Sequence, residues 1–395
     1  MIVWRKGGKG ERTLKRNKQK SKRSEERVQS YAPKWMAHSL LSAWILFACA
    51  VATILLWQLL PAHGPEKSDR SRLFLEGETV DLSDEMYTYG DMMRDLYELS
   101  LLYPDRIRVS SAGVSADGRE ILYADVGPAD AERQIFVSAG IHGRETIPPL
   151  IAMKLTEYYL VNYDAEDENG RAFSDVAGDC LFRVVPMVNP DGIALATEGP
   201  ESIRREELKE TVLAVFESDR REYASYGQYG TLEEYLKYWK ANLRGVDLNR
   251  NFPIEQWETV STGIPQPSSQ KYKGGRAASE PETQAIVALL TGMDRLCAVV
   301  SLHSQGEILY WDCGQEGELR SRNQDLVKAI AEMTGYRSVD TFTAPDASLD
   351  DWAALNLGVP SVNIELGRGN ILLPATQVQP IWNQIKGLWR LLAEW

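Results

Sequence analysis

The chain has 395 residues, with 44 Lys and Arg against 56 Asp and Glu, a formal net charge of −12, four cysteines and four histidines. A composition that is 44% hydrophobic and 25% charged excludes disordered, collagen-like and disulfide-scaffold classes and leaves room for a large core. The mean charge conceals a split: residues 1–34 carry +9, residues 35–60 carry no charged side chain, and the remaining 335 residues carry −21.

Residues 1–34 form a basic tail, read as a solvated topology determinant that also attracts anionic lipid headgroups. A nucleic-acid arm is the competing reading, and no nucleic-acid partner is expected. Residues 35–60 contain SLLSAWILFACAVATILLWQLL, 22 residues from Ser39 to Leu60. As a helix this run is about 33 Å long, enough for a hydrocarbon core of about 30 Å. A cleaved signal peptide carries a shorter apolar run behind a shorter basic segment, so an uncleaved transmembrane helix is expected here. The positive-inside rule then puts the tail in the cytoplasm and everything after Pro61 outside, on a single-pass membrane anchor. Residues 61–79, polar with Pro and Gly, read as a stalk, and residues 80–395 as the folded domain.

Within that domain Tyr87 to Leu102 spaces Met92, Leu96 and Leu99 or Leu101 at helical intervals. RIRVSSAGVSADGREILYADVG reads as two strands joined at Asp117-Gly118. RQIFVSAGIH is a buried strand, Pro148 to Tyr159 a helix, and LFRVVPMVNP a strand. The charged stretch 198–239 breaks the rhythm and reads as a helical surface insertion that could overhang a site. Glu280 to Leu290 is a helix, LCAVVSLHS a strand, Gln324 to Thr334 a helix, PSVNIELG a strand and Val378 to Trp395 a final helix. Ile381, Ile385, Leu388, Leu392 and Trp395 mark the packing face of that last helix. Buried strands alternating with helices imply an α/β fold with a mostly parallel central sheet, which gathers sites at the carboxyl ends of its strands.

Two of the four histidines, His38 and His63, precede this domain, which leaves His142 and His303, each at the carboxyl end of an expected strand. His142 and Glu145 are three residues apart on a turn entering a helix, and His303 would complete a His/Glu/His set of the kind that binds Zn²⁺ with a position open to water. HxxE alone is a common spacing, and a strand-end histidine is as readily structural, so on these residues both readings stand. Cys180, Cys297 and Cys313 are odd in number, so at most one pair can form among them. The chain offers no GxSxG and no spare histidine for serine or cysteine hydrolysis.

Gly140-Ile141-His142-Gly143-Arg144-Glu145, Asn189-Pro190-Asp191-Gly192, Gly245-Val246-Asp247-Leu248-Asn249-Arg250-Asn251-Phe252, Ser301-Leu302-His303-Ser304 and Ile364-Glu365-Leu366-Gly367 resemble, in that order, the motifs of the zinc carboxypeptidase A family. The resemblance covers roughly Tyr87 to Trp395 and implies a mixed, mostly parallel eight-stranded sheet flanked by helices. It also implies one Zn²⁺ per chain held by His142, Glu145 and His303, with Asp247 behind a ligand imidazole and Glu365 as general base. Asp247 as a turn cap and Glu365 as a salt-bridge partner are the plainer alternatives. Asn249 and Arg250 match the pair that holds a substrate carboxylate, and Arg144 is implied as a further substrate contact.

In the family a basic residue that follows a tryptophan faces the developing oxyanion; here Lys240 and Arg244 both follow Trp239, and Arg244 is favoured because it keeps a guanidinium. Digestive members place a tyrosine two residues after an Asp-Trp dipeptide, whereas Asp351-Trp352 is followed by Ala353-Ala354. A 26-residue stretch between the anchor and Tyr87 is also too short for a long pro-domain. WKANLRGVDLNRNFP and LHSQGEILYW look instead like the bacterial γ-D-glutamyl-meso-diaminopimelate peptidases, which implies peptidoglycan stem peptides as substrates and an extracellular site of action. An exopeptidase for ordinary peptides and a catalytically silent peptide-binding domain are the alternatives.

Overall fold

The structure, a computed structural model, describes residues 75–84, 86–167, 169–222, 230–340 and 344–395. The basic tail, the expected anchor and most of the expected stalk lie outside the described residues, among which no helix is long and apolar enough to cross a membrane. Residues 75–79, expected in the stalk, are bound to the domain. Leu75 and Asn162 exchange two 2.7 Å hydrogen bonds, and the N–H groups of Thr79 and Val80 donate to the Glu157 carboxylate. The buried Lys154 ammonium balances Glu157 at 2.8 Å. Gly77 has φ +81°, and a Cβ there would stand 2.3 Å from Glu157 Cδ, so this contact requires glycine.

Helix α1 (Tyr89–Leu102) starts on a capping box between Thr88 and Asp91. It buries Met92, Leu96 and Leu99 and leaves Leu101 exposed, which settles the two alternatives in the pattern. Strands β1 (Ile107–Val114) and β2 (Glu120–Val126) form the expected antiparallel hairpin. There follow β3 (Arg133–Ala139), α2 (Ile147–Val161), the short α3 (Phe173–Ala177), β4 (Cys180–Val185) and α4 (Pro190–Glu198). The stretch expected as an insertion supplies α5 (Glu206–Glu222) and α6 (Leu232–Leu236). The chain then runs through α7 (Pro281–Thr291), β5 (Leu296–His303), β6 (Ile308–Tyr310), α8 (Gly317–Thr334), β7 (Arg337–Val339), α9 (Leu349–Trp352) and β8 (Ser361–Glu365). Helices α10 (Val378–Ile385) and α11 (Leu388–Glu394) close it.

The strands form one eight-stranded sheet in the order β1-β2-β4-β3-β5-β8-β6-β7. Its centre, β4-β3-β5-β8, is parallel, while β1, β2 and β6 join antiparallel to their inner neighbours. Alternation along the strands feeds two cores. Ile135, Val137, Val300 and Val362 meet α2, α10 and α11 on one face, and Phe136, Val299, Ile286 and Trp352 pack on the other. The charged insertion has an apolar seam of its own, in which Leu208, Val212, Val215 and Phe216 lie against Tyr235, Leu236 and Trp239. Ala116, Leu195 and Leu243, from outside the stretch, join the same seam, so the insertion is packed onto the domain.

Three features depart from the pattern reading. Strands β6 and β7 have only three residues each, too few to show a period. Helix α8 starts at Gly317 rather than Gln324, because its first two turns are polar and mostly exposed. The last helix breaks at Lys386-Gly387 into α10 and α11, although Ile381, Ile385, Leu388 and Leu392 are buried as expected.

Candidate metal centre and active site

The parallel strands deliver the chemistry to one edge. His303 ends β5 and Glu365 ends β8, and the two are register partners. His142 stands three residues beyond β3, in a turn that three of the sequence motifs build together. A Cβ at Gly143 would lie 2.4 Å from Gly192 O, and Gly143 N–H donates to Lys240 O, so the turn packs backbone to backbone. Asn189 bridges the same loops by donating to the carbonyls of Ile141 and Ala241.

His142, Glu145 and His303 are all buried, and each offers a ligand atom within 4.8 Å of the others. Glu145 Oε1 lies 2.8 Å from His142 Nδ1, and its Oε2 lies 3.2 Å from His303 Nδ1. Burial would raise the Glu145 carboxyl, but the two imidazoles hold it well below the usual range, so it stays anionic. Two imidazoles and a carboxylate converging from three sides fit a zinc ion by donor type, and their close approach fits by size. The second nitrogen of His142, Nε2, lies 3.2 Å from Asp247 Oδ1, which fixes the ring with Nδ1 turned to the ligand set. Asp247 also accepts from the N–H groups of Asn249 and Lys271, so it caps its turn and orients the imidazole at once. Burial opposes its charge, but His142, Lys240 and Arg250 keep the carboxyl far below its ordinary value.

Beside this set is a cavity of about 380 Å³ lined by His142, Lys240, Asn249, Arg250, Asp350 and Glu365, among others. Glu365 is pushed up to about 6 by burial, against the pull of His303 and with a further push from Glu145. A carboxylate raised towards neutrality is matched to accepting and returning a proton near physiological pH. Arg250 Nη2 pairs with the exposed Asp346 at 3.1 Å, and Asn249 Oδ1 accepts from Leu349 N–H at 3.1 Å.

The sequence favours Arg244 over Lys240 as the oxyanion donor; of the two, Lys240 is the one that the structure brings to the cavity. Asn242 Oδ1 accepts from the N–H groups of Arg244 and Val246, a tight turn that throws the Arg244 side chain outward. Its Nη1 lies 3.6 Å from Glu280 and it does not line the cavity, whereas Lys240 does and brings Nζ to 3.9 Å from Glu145 Oε1. Arg144 also lies apart from the main cavity. It lines a neighbouring one of about 170 Å³ with Lys237 and Ser304, and its buried Nε has no partner among the described residues. Cys180, Cys297 and Cys313 are free thiols, and burial raises the Cys313 thiol, at the cavity wall, to about 12. Asp346 and Asp350 lie in this cavity although no motif names them. Asp350 is the first of two adjacent acids before Trp352, a pattern that also describes an ordinary helix start.

Comparison with known proteins agrees with this geometry. The sequence profile described as zinc carboxypeptidase matches residues 92–386. The γ-D-glutamyl-L-diamino acid endopeptidase 1 of Lysinibacillus sphaericus is 28% identical over 304 residues, covering 76% of this chain and 71% of its own length. Carboxypeptidase B of Astacus astacus is 27% identical over 312 residues, covering 74% of this chain and 91% of its own. Among solved structures, thrombin activatable fibrinolysis inhibitor shares the fold with a TM-score of 0.61 at 18% identity, over 80% of this chain and 79% of that one. With its ligand set present and most of its length matched by the family profile, the chain belongs to the zinc carboxypeptidase family and is a metallopeptidase.

Proposed function

We propose that this metallopeptidase hydrolyses peptidoglycan stem peptides at the γ-D-glutamyl-diaminopimelate bond, on the outer side of the membrane that residues 35–60 would span. The observation that carries the reading is the cavity whose wall brings Glu365, Lys240, Asn249 and Arg250 together with the ligand His142. The name of the Lysinibacillus relative, an endopeptidase for γ-D-glutamyl-diamino acid bonds, supports the choice of bond.

An amide carbonyl is a poor electrophile, so its hydrolysis needs an activated water, a proton carrier and a cation at the developing negative charge. When bound by His142, Glu145 and His303, zinc supplies Lewis acidity that makes water easier to deprotonate and the carbonyl easier to attack. Glu365 takes the proton of the attacking water and hands it to the departing nitrogen. Lys240 turns its ammonium to the oxygen that gains charge. Arg250 leaves its exposed partner Asp346 for a carboxylate of the diamino acid, a cheap exchange because an exposed ion pair is worth only about 0–1 kcal/mol. Asn249 sits beside it at the cavity wall.

The test is cleavage by the full-length chain of L-Ala-γ-D-Glu-meso-diaminopimelate and of an ordinary α-linked peptide. Preferred release of diaminopimelate is expected. Removal of C-terminal residues from the α-linked peptide alone would overturn the bond assignment in favour of a general carboxypeptidase. Placement is read separately: protease added to cells whose wall has been removed should digest the catalytic domain and spare the basic tail, and protection of the domain would refute an outer location.

A further inference from the structure

No described side chain of the charged insertion lines the main cavity, yet its helix α5 carries a buried acid that reaches the catalytic loops. Asp219 is fully buried, and no cation pairs with it among the described residues. Its Oδ2 accepts four hydrogen bonds, from Tyr235 OH at 2.6 Å, Ser268 Oγ at 3.0 Å, Ser269 N–H at 3.0 Å and Ser269 Oγ at 2.8 Å. Oδ1 has no donor among the described residues. A buried acid without a counter-ion is costly, and dense acceptance on one oxygen offsets that cost. Three of the four donors belong to two adjacent residues, so Asp219 fixes one loop above all.

That loop holds Lys240. Ser269 O accepts from the N–H groups of Lys240 and Ala241, each at 2.9 Å. On the other side, Lys240 O accepts from Gly143 N–H and from Asn189 Nδ2. The backbone of Lys240 is thus clamped between the turn bearing His142 and the loop moored to Asp219. No hydrogen bond to a described residue holds its ammonium, which lies 3.9 Å from Glu145 Oε1. A lysine stem is flexible, so the place where its backbone is fixed decides where its charge can reach.

We infer that Asp219 is a positioning residue for Lys240: through Ser268 and Ser269 it sets the backbone from which the ammonium reaches the oxygen that gains charge. The inference rests on the role proposed above for Lys240. It gives the insertion a part in the reaction, as a brace behind a cation rather than a cover over the cavity. A cation facing a developing oxyanion acts mainly in the transition state, so misplacing it lowers kcat more than it raises KM.

The experiment is a double-mutant cycle in the full-length chain, on whichever of the γ-linked and α-linked peptides it cuts. Lys240→Ala should lose about a hundredfold in kcat. Asp219→Ala should lose at least about tenfold in kcat, with KM changed by less than about threefold. In the Lys240→Ala background, Asp219→Ala should cost no more than about twofold further, because the group it positions is gone. Asp219→Asn keeps an acceptor at the Oδ2 position and should recover most of the kcat lost in Asp219→Ala. Zinc content and the thermal midpoint report whether each variant is folded. If Asp219→Ala is not, the pair Ser268→Ala and Ser269→Ala, which removes two of the four donors, takes its place and the same outcomes decide. Near-native kcat in the folded variant, or an undiminished loss in the Lys240→Ala background, overturns the positioning role alone. Near-native kcat in Lys240→Ala removes the oxyanion assignment, and the inference falls with it.

Discussion

As the proposed base, Glu365 has to be ionised to take a proton, and desolvation raises it to about 6. A dication held close by would favour its charged form, so the acid limb of kcat/KM is expected at or below pH 6, with activity lost as pH falls through it. Glu365→Gln should bind zinc normally and lose at least about a hundredfold in kcat; near-native turnover in this variant would remove the residue from the mechanism. Asp247→Asn should weaken zinc affinity about 10–100-fold by loosening the His142 imidazole, measured by competition with a chelator, and native affinity would reduce Asp247 to a turn cap. The ligands were legible in sequence because histidine is scarce and both domain histidines follow buried strands. The choice between Lys240 and Arg244 was not, since a turn pinned by Asn242 decides which of the two cations points inward. Asp350 was hidden for a similar reason: adjacent acids at a helix start look alike until burial separates them.

Between elements, the hairpin tip, the start of α4 and the start of α7 are joined by buried carboxylates. Asp191 accepts from Ser115, Asp117 N–H and Arg119, and Glu282 accepts from Ala116 N–H and Asn242. Burial, together with the neighbouring Asp191, raises Glu282 to about 7 from an ordinary value of 4.5. The folded state thus binds more protons than the unfolded state between those values. On this account the group's contribution to stability is greatest below pH 4.5 and is lost as pH rises through about 7. Glu282→Gln should accordingly gain thermal stability relative to the native chain at pH 8 compared with pH 5, and a midpoint difference independent of pH would show that Glu282 does not titrate in this range. At this scale the parallel strands were readable as unbroken apolar runs and the β1–β2 hairpin by its Asp-Gly turn. The β6 and β7 strands were not, because three residues carry no period and their pairing depends on neighbours distant in sequence.

Across the whole molecule, metal and fold should be linked, since a ligand that binds only the native state stabilises it by mass action. Chelation should abolish activity and lower the thermal midpoint, and added Zn²⁺ should restore both; activity that survived complete metal removal would be incompatible with the site described here. The charge distribution acts at the same scale. With −21 on the residues beyond the apolar segment, attraction of anionic substrates falls to local cations such as Arg250, Lys240 and the zinc rather than to the molecule's overall field.

Residues 75–80 give the domain a mechanical polarity. They grip α2 at Asn162, Glu157 and Lys154, while the ligand Glu145 lies just before the other end of that helix, about 22 Å away along its axis from Asn162. Tension entering from the preceding chain is therefore borne by side-chain clamps on the far half of α2 and by the Glu76 contacts with Trp382 and Lys386. A pull on these residues therefore meets that rear mooring before it reaches the imidazoles.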